Sequence, residues 1–170
     1  MTDIRNADQQ ELKALSELAK TCFTDSFGHL YSEEDLNSHL QKTCSIEYFE
    51  EAMLKDKILL AKNESKIIGY IKFGDVGLPV DNIPKKSVEI HRLYIHPKHK
   101  NMGIGKKLIR KAFESDILKS AKHIYLSVYE NNFTAQNFYK KYGFSKVGEY
   151  DYFVGSHIDR EFIFYLNNST

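Results

Sequence analysis

At 170 residues, 42 % of them hydrophobic and 28 % charged, the chain has the size of one domain, 1–170, that can bury a core without metal or disulfide staples. Lys and Arg number 24 against 23 Asp and Glu, a balance that lacks the basic surplus of a nucleic-acid binder. Cys22 and Cys44 fit no disulfide, metal or redox spacing, no apolar run approaches the ~20 residues of a bilayer span, and the polar start MTDIRNADQQ is not a secretory signal, so a cytoplasmic protein without membrane or nucleic-acid partners is expected.

Asp8 with Glu11 three residues on is a capping box, and Leu12, Leu15, Leu18, Ala19 and Cys22 follow at helical spacing. Ser32 caps a second helix with Glu33, Glu34 and Asp35 in its first turn, where the helix dipole favours negative charge. A short third helix is predicted over 46–54. Residues 57–63 and 66–73 read as a hairpin. A loop with Gly77, Pro79 and Pro84 leads to a strand over 87–96, closed by Pro97. The spacing of Ile104, Leu108, Ile109, Ala112 and Phe113 predicts an amphipathic helix over 103–119. A strand over 122–129, a helix over 134–142 stopped by Gly143, and strands over 146–154 and 159–166 complete the chain. Helices, then a meander, then strand–helix–strand–helix and a hairpin describe a mixed α/β sheet, not a doubly wound parallel one.

Two stretches carry chemistry. In EIHRLYIHPKHKNMGIGKKLI a strand ends in a loop that opens a helix at Gly103 and Gly105. A helix N-terminus offers unpaired N–H groups and partial positive charge, and glycines let a diphosphate approach the backbone. Lys100, Lys106 and Lys107 add charge, although two glycines at a helix start also serve packing alone. The segment is neither a P-loop, since the GKS/GKT ending is absent, nor a complete dinucleotide fingerprint. In LSVYENNFTAQNFYKKYGF a strand runs into Asn131 and Asn132, then a helix with Ala135, Phe138 and Tyr139. Phe138 and Phe144 read as core, whereas the Tyr139 phenol can face a cleft. His91, His96 and His99 lie on a strand and loop without a helix-spaced pair, so no metal is expected.

Together the two stretches resemble the GNAT N-acetyltransferases. That family shows Q/R-x-x-G-x-G/A and then V-x-x-x-N-x-x-A-x-x-F-Y-x-x-x-G-F. This chain has Lys100, Asn101, Met102, Gly103, Ile104 and Gly105, then Val128, Asn132, Ala135, Phe138, Tyr139, Gly143 and Phe144 at the same spacing. Lys100 departs from the usual Gln or Arg. The resemblance implies an α/β (α+β) fold, with a mixed, mostly antiparallel twisted sheet, flanking helices and splayed central strands. It implies acetyl-CoA as cosubstrate and direct attack by an amine in a ternary complex. Backbone N–H groups from Met102 to Lys106 are then expected on the pyrophosphate, with Lys100, Asn101 and Phe138 around the same groove. Leu93, Tyr94 and Ile95 are expected along the pantetheine arm, with the Leu93 N–H at the thioester oxygen. Asn132 is expected to bond that arm and Tyr139 to protonate the sulfur.

Glu89 stands fourteen positions before Gly103, where family members often carry a glutamate, and is the first candidate for the base. Strict alternation puts Glu89, His91, Leu93 and Ile95 on one strand face, which makes His91 the second. The alternative is a charged pair lining a solvated groove. Several segments, including the tail EYDYFVG, resemble bacterial spermidine/spermine N-acetyltransferases, and a polycation needs carboxylates. Glu33, Glu34 and Asp35 on one side, with Glu149 and Asp151 on the other, are the expected substrate contacts, although the first three also serve as a helix cap. Acetylation of another amine (a protein N-terminus, an amino sugar, an arylamine) and a non-catalytic coenzyme A-sensing domain are the rival readings. A homodimer is compatible with all of them.

Overall fold

The computed structural model describes residues 1–169. Apolar residues on both faces of the hairpin β2 (Lys57–Asn63) and β3 (Lys66–Gly74) make these strands central, because a strand buried on two sides needs two apolar faces. β4 (Ser87–Ile95) follows β3 antiparallel. β5 (His123–Tyr129) then pairs with β4 in parallel, and β6 (Ser145–Val154) and β7 (His157–Asn167) close the sheet as an antiparallel hairpin. An additional edge strand, β1 (Thr2–Asn6), pairs with β2, giving the order β1-β2-β3-β4-β5-β7-β6. Sequence alone left β1 unassigned, because four of its five residues are polar and it gains its partner only in the folded sheet.

Helices cover both faces. α1 (Leu12–Phe27), α2 (Glu33–Cys44) and α3 (Ile46–Lys55) bury Leu15, Cys22, Cys44 and Phe49 against Leu60 and Tyr70. The predicted caps Asp8, with Glu11, and Ser32 are present. On the other face α4 (Ile104–Phe113) and α6 (Phe133–Lys140) cover Leu59, Ile71, Phe73 and Phe164. The helix expected over 103–119 is two. Ser115 is extended and its hydroxyl accepts the Leu118 N–H, so the chain restarts as α5 (Asp116–Ser120). No helix among the described residues is long and apolar enough to cross a membrane.

Candidate active site

β4 and β5 pair only from Ser87 to Glu89 and from His123 to Tyr125. Beyond that point the two strands separate while each keeps its other neighbour, β3 or β7. The separation leaves backbone groups of β4 without a strand partner on one side and opens two connected hollows.

The larger is a groove of about 900 Å³, lined by Leu93, Tyr94, Ile95, Lys100, Asn101, Gly103 to Lys106, Asn132, Phe138 and Tyr139. Its floor is the start of α4. Gly103 is the N-cap at φ 76°, a left-handed conformation that a side chain would strain, and no side chain caps the helix. A Cβ added there would meet nothing within 4 Å, so the approach to this turn is open on that side. Asn101, also left-handed at φ 63°, turns the chain into this position. A diphosphate fits this cradle by charge and by access. Lys100 holds Asp25 at 2.6 Å, and the Met102 side chain is exposed outside the groove. Asn132 caps α6 through its Oδ1, which accepts the Ala135 N–H at 3.1 Å, so its amide N–H₂ remains for a ligand.

The second hollow is a cavity of about 310 Å³ that shares Leu93, Tyr94, Asn132, Ala135 and Tyr139 with the groove. Tyr139 thus stands at the junction. Its ring packs edge-on against Phe138 and Phe144, with centroids 5.3 and 5.9 Å away, and burial pushes its phenol up from the usual value. Its hydroxyl has no hydrogen-bond partner among the described residues.

The strict alternation expected along β4 does not hold. Phe73 pairs with Ile90 and Lys72 with Arg92, so His91 is the extra residue of a β-bulge. Leu93 and Ile95 therefore share the α4-side face with Val88 and Ile90, whereas Tyr94 packs with the α1–α3 face. Both Glu89 and His91 still line the cavity. Glu89 accepts the Gly77 N–H at 2.8 Å. His91 bonds the Asp75 carbonyl through Nε2 at 2.8 Å and the Lys72 ammonium through Nδ1 at 2.9 Å. Lys72 in turn holds Asp56 at 2.8 Å.

The five carboxylates expected to face the substrate do not line the cavity. Glu33 and Glu34 are exposed in the first turn of α2, and Asp35 bonds Ser156 in the β6–β7 turn. Glu149 pairs with Lys146 and Arg160, and Asp151 with Arg160, on the outer side of the hairpin. Helix capping and exposed cross-strand pairing account for all five. The carboxylate that sequence reading missed is Glu161. It lies on β7 opposite Tyr129 of β5 and Tyr150 of β6 and lines the cavity. Burial, reinforced by the charge of Asp159, pushes its carboxyl up to about 7 against a weaker opposing effect of Ser127. The available signal was a carboxylate two residues before Ile163, a buried position on the same strand face. Aromatic groups complete the walls. Phe27, Tyr31, Tyr48 and Tyr152 are among them, and Tyr31 donates its hydroxyl to Asp159.

Residues 12–144 match the model of the acetyltransferase (GNAT) family, more than half of the chain. The chain belongs to the GNAT family. It is an N-acetyltransferase with acetyl-CoA as cosubstrate, in keeping with the groove and its cradle. An uncharacterized N-acetyltransferase of Lactobacillus delbrueckii subsp. lactis is 25 % identical over 167 residues, covering 96 % of both chains. The spermidine N(1)-acetyltransferase of Thermoplasma acidophilum is 26 % identical over 152 residues, 84 % of this chain and 87 % of that one. The crystal structure of the PaiA N-acetyltransferase of Thermoplasma acidophilum in complex with coenzyme A superposes with a TM-score of 0.79 at 24 % identity, covering 98 % of this chain and 99 % of that one. The GNAT fold of this chain accordingly has its mixed, mostly antiparallel sheet between helical layers.

Proposed function

We propose that this GNAT protein acetylates a primary amine of a small cationic acceptor, a polyamine of the spermidine and spermine class, by direct attack in a ternary complex. The observation that carries the reading is the 310 Å³ cavity, where aromatic walls surround Glu89 and Glu161 and which meets the groove at Tyr139. Ring faces and carboxylates are the two partners that stabilise an alkylammonium away from water. The similarity to a spermidine acetyltransferase supports the same acceptor class.

The acetyl donor supplies an acyl group activated as a thioester. The N–H groups of the Gly103 turn bind its pyrophosphate, and the β4 backbone at Leu93 and Ile95 pairs with its amide-bearing arm as a further strand would. The Leu93 N–H faces the acyl oxygen, where negative charge develops during attack. The free amide of Asn132 holds the arm from the α6 side. Tyr139 gives its proton to the departing sulfur. Its burial keeps the phenol protonated across the neutral range, so the donor form is always present. Glu89, fixed by the Gly77 N–H, binds the acceptor ammonium.

Thiol release from acetyl-CoA, measured against spermidine, spermine, an amino sugar, an arylamine and a peptide with a free N-terminus, tests the acceptor. Release with the two polyamines at the highest kcat/KM is expected. Preference for the peptide or the sugar would reassign the acceptor, and no release with any amine would leave a coenzyme A-binding sensor.

A further inference from the structure

We propose that Glu161 takes the proton from the acceptor ammonium, while Glu89 only holds the cation and His91 takes no part in proton transfer. The proposal rests on the reading of the 310 Å³ cavity as the acceptor site. An alkylammonium with a pKa of ~10.4 is neutral in only about one molecule in a thousand at pH 7.4, so some group must remove the proton.

Geometry separates the candidates. His91 has no free lone pair. Its Nε2 faces a carbonyl oxygen, that of Asp75, and must donate to it. Its Nδ1 therefore accepts from Lys72, an ammonium only 4 % exposed that is held in place by Asp56. Glu89 has an oxygen committed to the Gly77 N–H at 2.8 Å, with the His91 Nε2 3.9 Å away.

Asp159 is spent in another way. Its two oxygens accept from the Tyr31 hydroxyl and face the His157 Nε2 at 2.9 Å, and it is 4 % exposed. It remains a buried negative charge two residues from Glu161 on the same face of β7.

Glu161 itself has no ion-pair partner among the described residues. The polar and titratable groups around it are Ser127 and Tyr129 from β5, Tyr150 and Tyr152 from β6, Asp159 on its own strand, and Tyr31 from the segment before α2. Glu89 lines the same cavity. The cations that line the cavity are engaged elsewhere: Lys72 pairs with Asp56, Arg92 donates to the Thr43 carbonyl at 2.7 Å, and burial holds His39 down to about 4. Burial and Asp159 together raise the affinity of Glu161 for a proton to about neutrality. A base works best when its pKa lies near the operating pH, since it is then both ionised and able to hold a proton.

The ionised Glu161 carboxylate takes one proton from R–NH₃⁺. The freed lone pair attacks the acyl carbon, forming the N–C bond as the C–S bond breaks. The second amine proton is lost as the thiolate gains one from Tyr139, and the phenolate is reprotonated by it. Glu161 afterwards releases its proton to water.

The test is the pH dependence of kcat/KM with spermidine between pH 5.5 and 10. In the wild-type protein kcat/KM should rise through about pH 7 and then level off below pH 9. In Glu161→Gln it should fall roughly 10²- to 10³-fold at pH 7 and rise tenfold per pH unit up to the amine pKa. Glu89→Gln should raise KM and keep the wild-type limb. An amine already neutral at pH 7, such as trifluoroethylamine, should react at nearly equal rates with wild type and Glu161→Gln, which a merely structural role would not give. Unchanged coenzyme A binding by Glu161→Gln verifies its fold. A wild-type profile that keeps rising to pH 9, or a Glu161→Gln enzyme within twofold of wild type at pH 7, overturns the proposal. Should no amine of the panel release thiol from the wild-type protein, the acceptor-site reading itself has failed, a result distinct from either of these.

Discussion

Removal of one oxygen at Tyr139 separates chemistry from binding. The hydroxyl stands at the junction of groove and cavity with no protein partner, so Tyr139→Phe strands no donor or acceptor. The ring contacts to Phe138 and Phe144 are kept. Stability should therefore change by no more than about 0.5 kcal/mol, a shift of roughly 2 °C at most for a chain of this size. Coenzyme A affinity should stay within twofold, because the ground-state thioester asks nothing of the phenol. The rate should fall. A positioned acid contributes typically 10²- to 10⁴-fold. A leaving thiol of ordinary pKa, ~8.5, departs without much help, which puts the loss near the lower end, about 10²-fold or ~2.7 kcal/mol in the barrier. The assay is kcat from thiol release beside the coenzyme A Kd from calorimetry. A kcat within twofold of wild type, or a Kd that worsens as much as the rate, refutes a proton donor at this position.

Gly103→Val should weaken coenzyme A at least tenfold and destabilise the protein by about 1–2 kcal/mol, because φ is 76° there; Gly105→Ala should do neither, since its Cβ would sit 3.7 Å from Phe138 in ordinary contact. Calorimetry and thermal melts check both. Lys72→Met should cost about 2–3 kcal/mol by leaving the partly buried Asp56 without its cation, and adding Asp56→Asn should recover part of it in a denaturant titration. His39, buried against Phe23 and Tyr152, is held down to about 4 by burial. The unfolded chain therefore binds this proton first, and stability is lost as pH falls from about 6.5 toward 4. His39→Phe should flatten that part of the stability–pH curve by ~1–3 kcal/mol relative to wild type.

Most of the fold, and the groove at the start of α4, were legible in the chain before any pairing was known. Helix caps, apolar spacing and the loop at Gly103 are local properties, and local chemistry is what a sequence displays. The motif from Val128 to Phe144 places Asn132 and Tyr139 by counting, because a strand, a turn and a helix fix their relation within a few residues. The lining of the 310 Å³ cavity depends on tertiary pairing. Glu161 is an unremarkable strand residue until β5, β6 and the segment at Tyr31 close around it and Asp159 adds its charge. Glu33, Glu34, Asp35, Glu149 and Asp151 have the composition of a cation site yet serve as caps and exposed pairs, since their direction depends on how the hairpin and α2 meet. The bulge at His91 is of the same kind. Alternation along β4 is a local rule, but the register that breaks it belongs to the pairing with β3, and that one extra residue sends Leu93 to the α4-side face and leaves His91 bonded at both nitrogens.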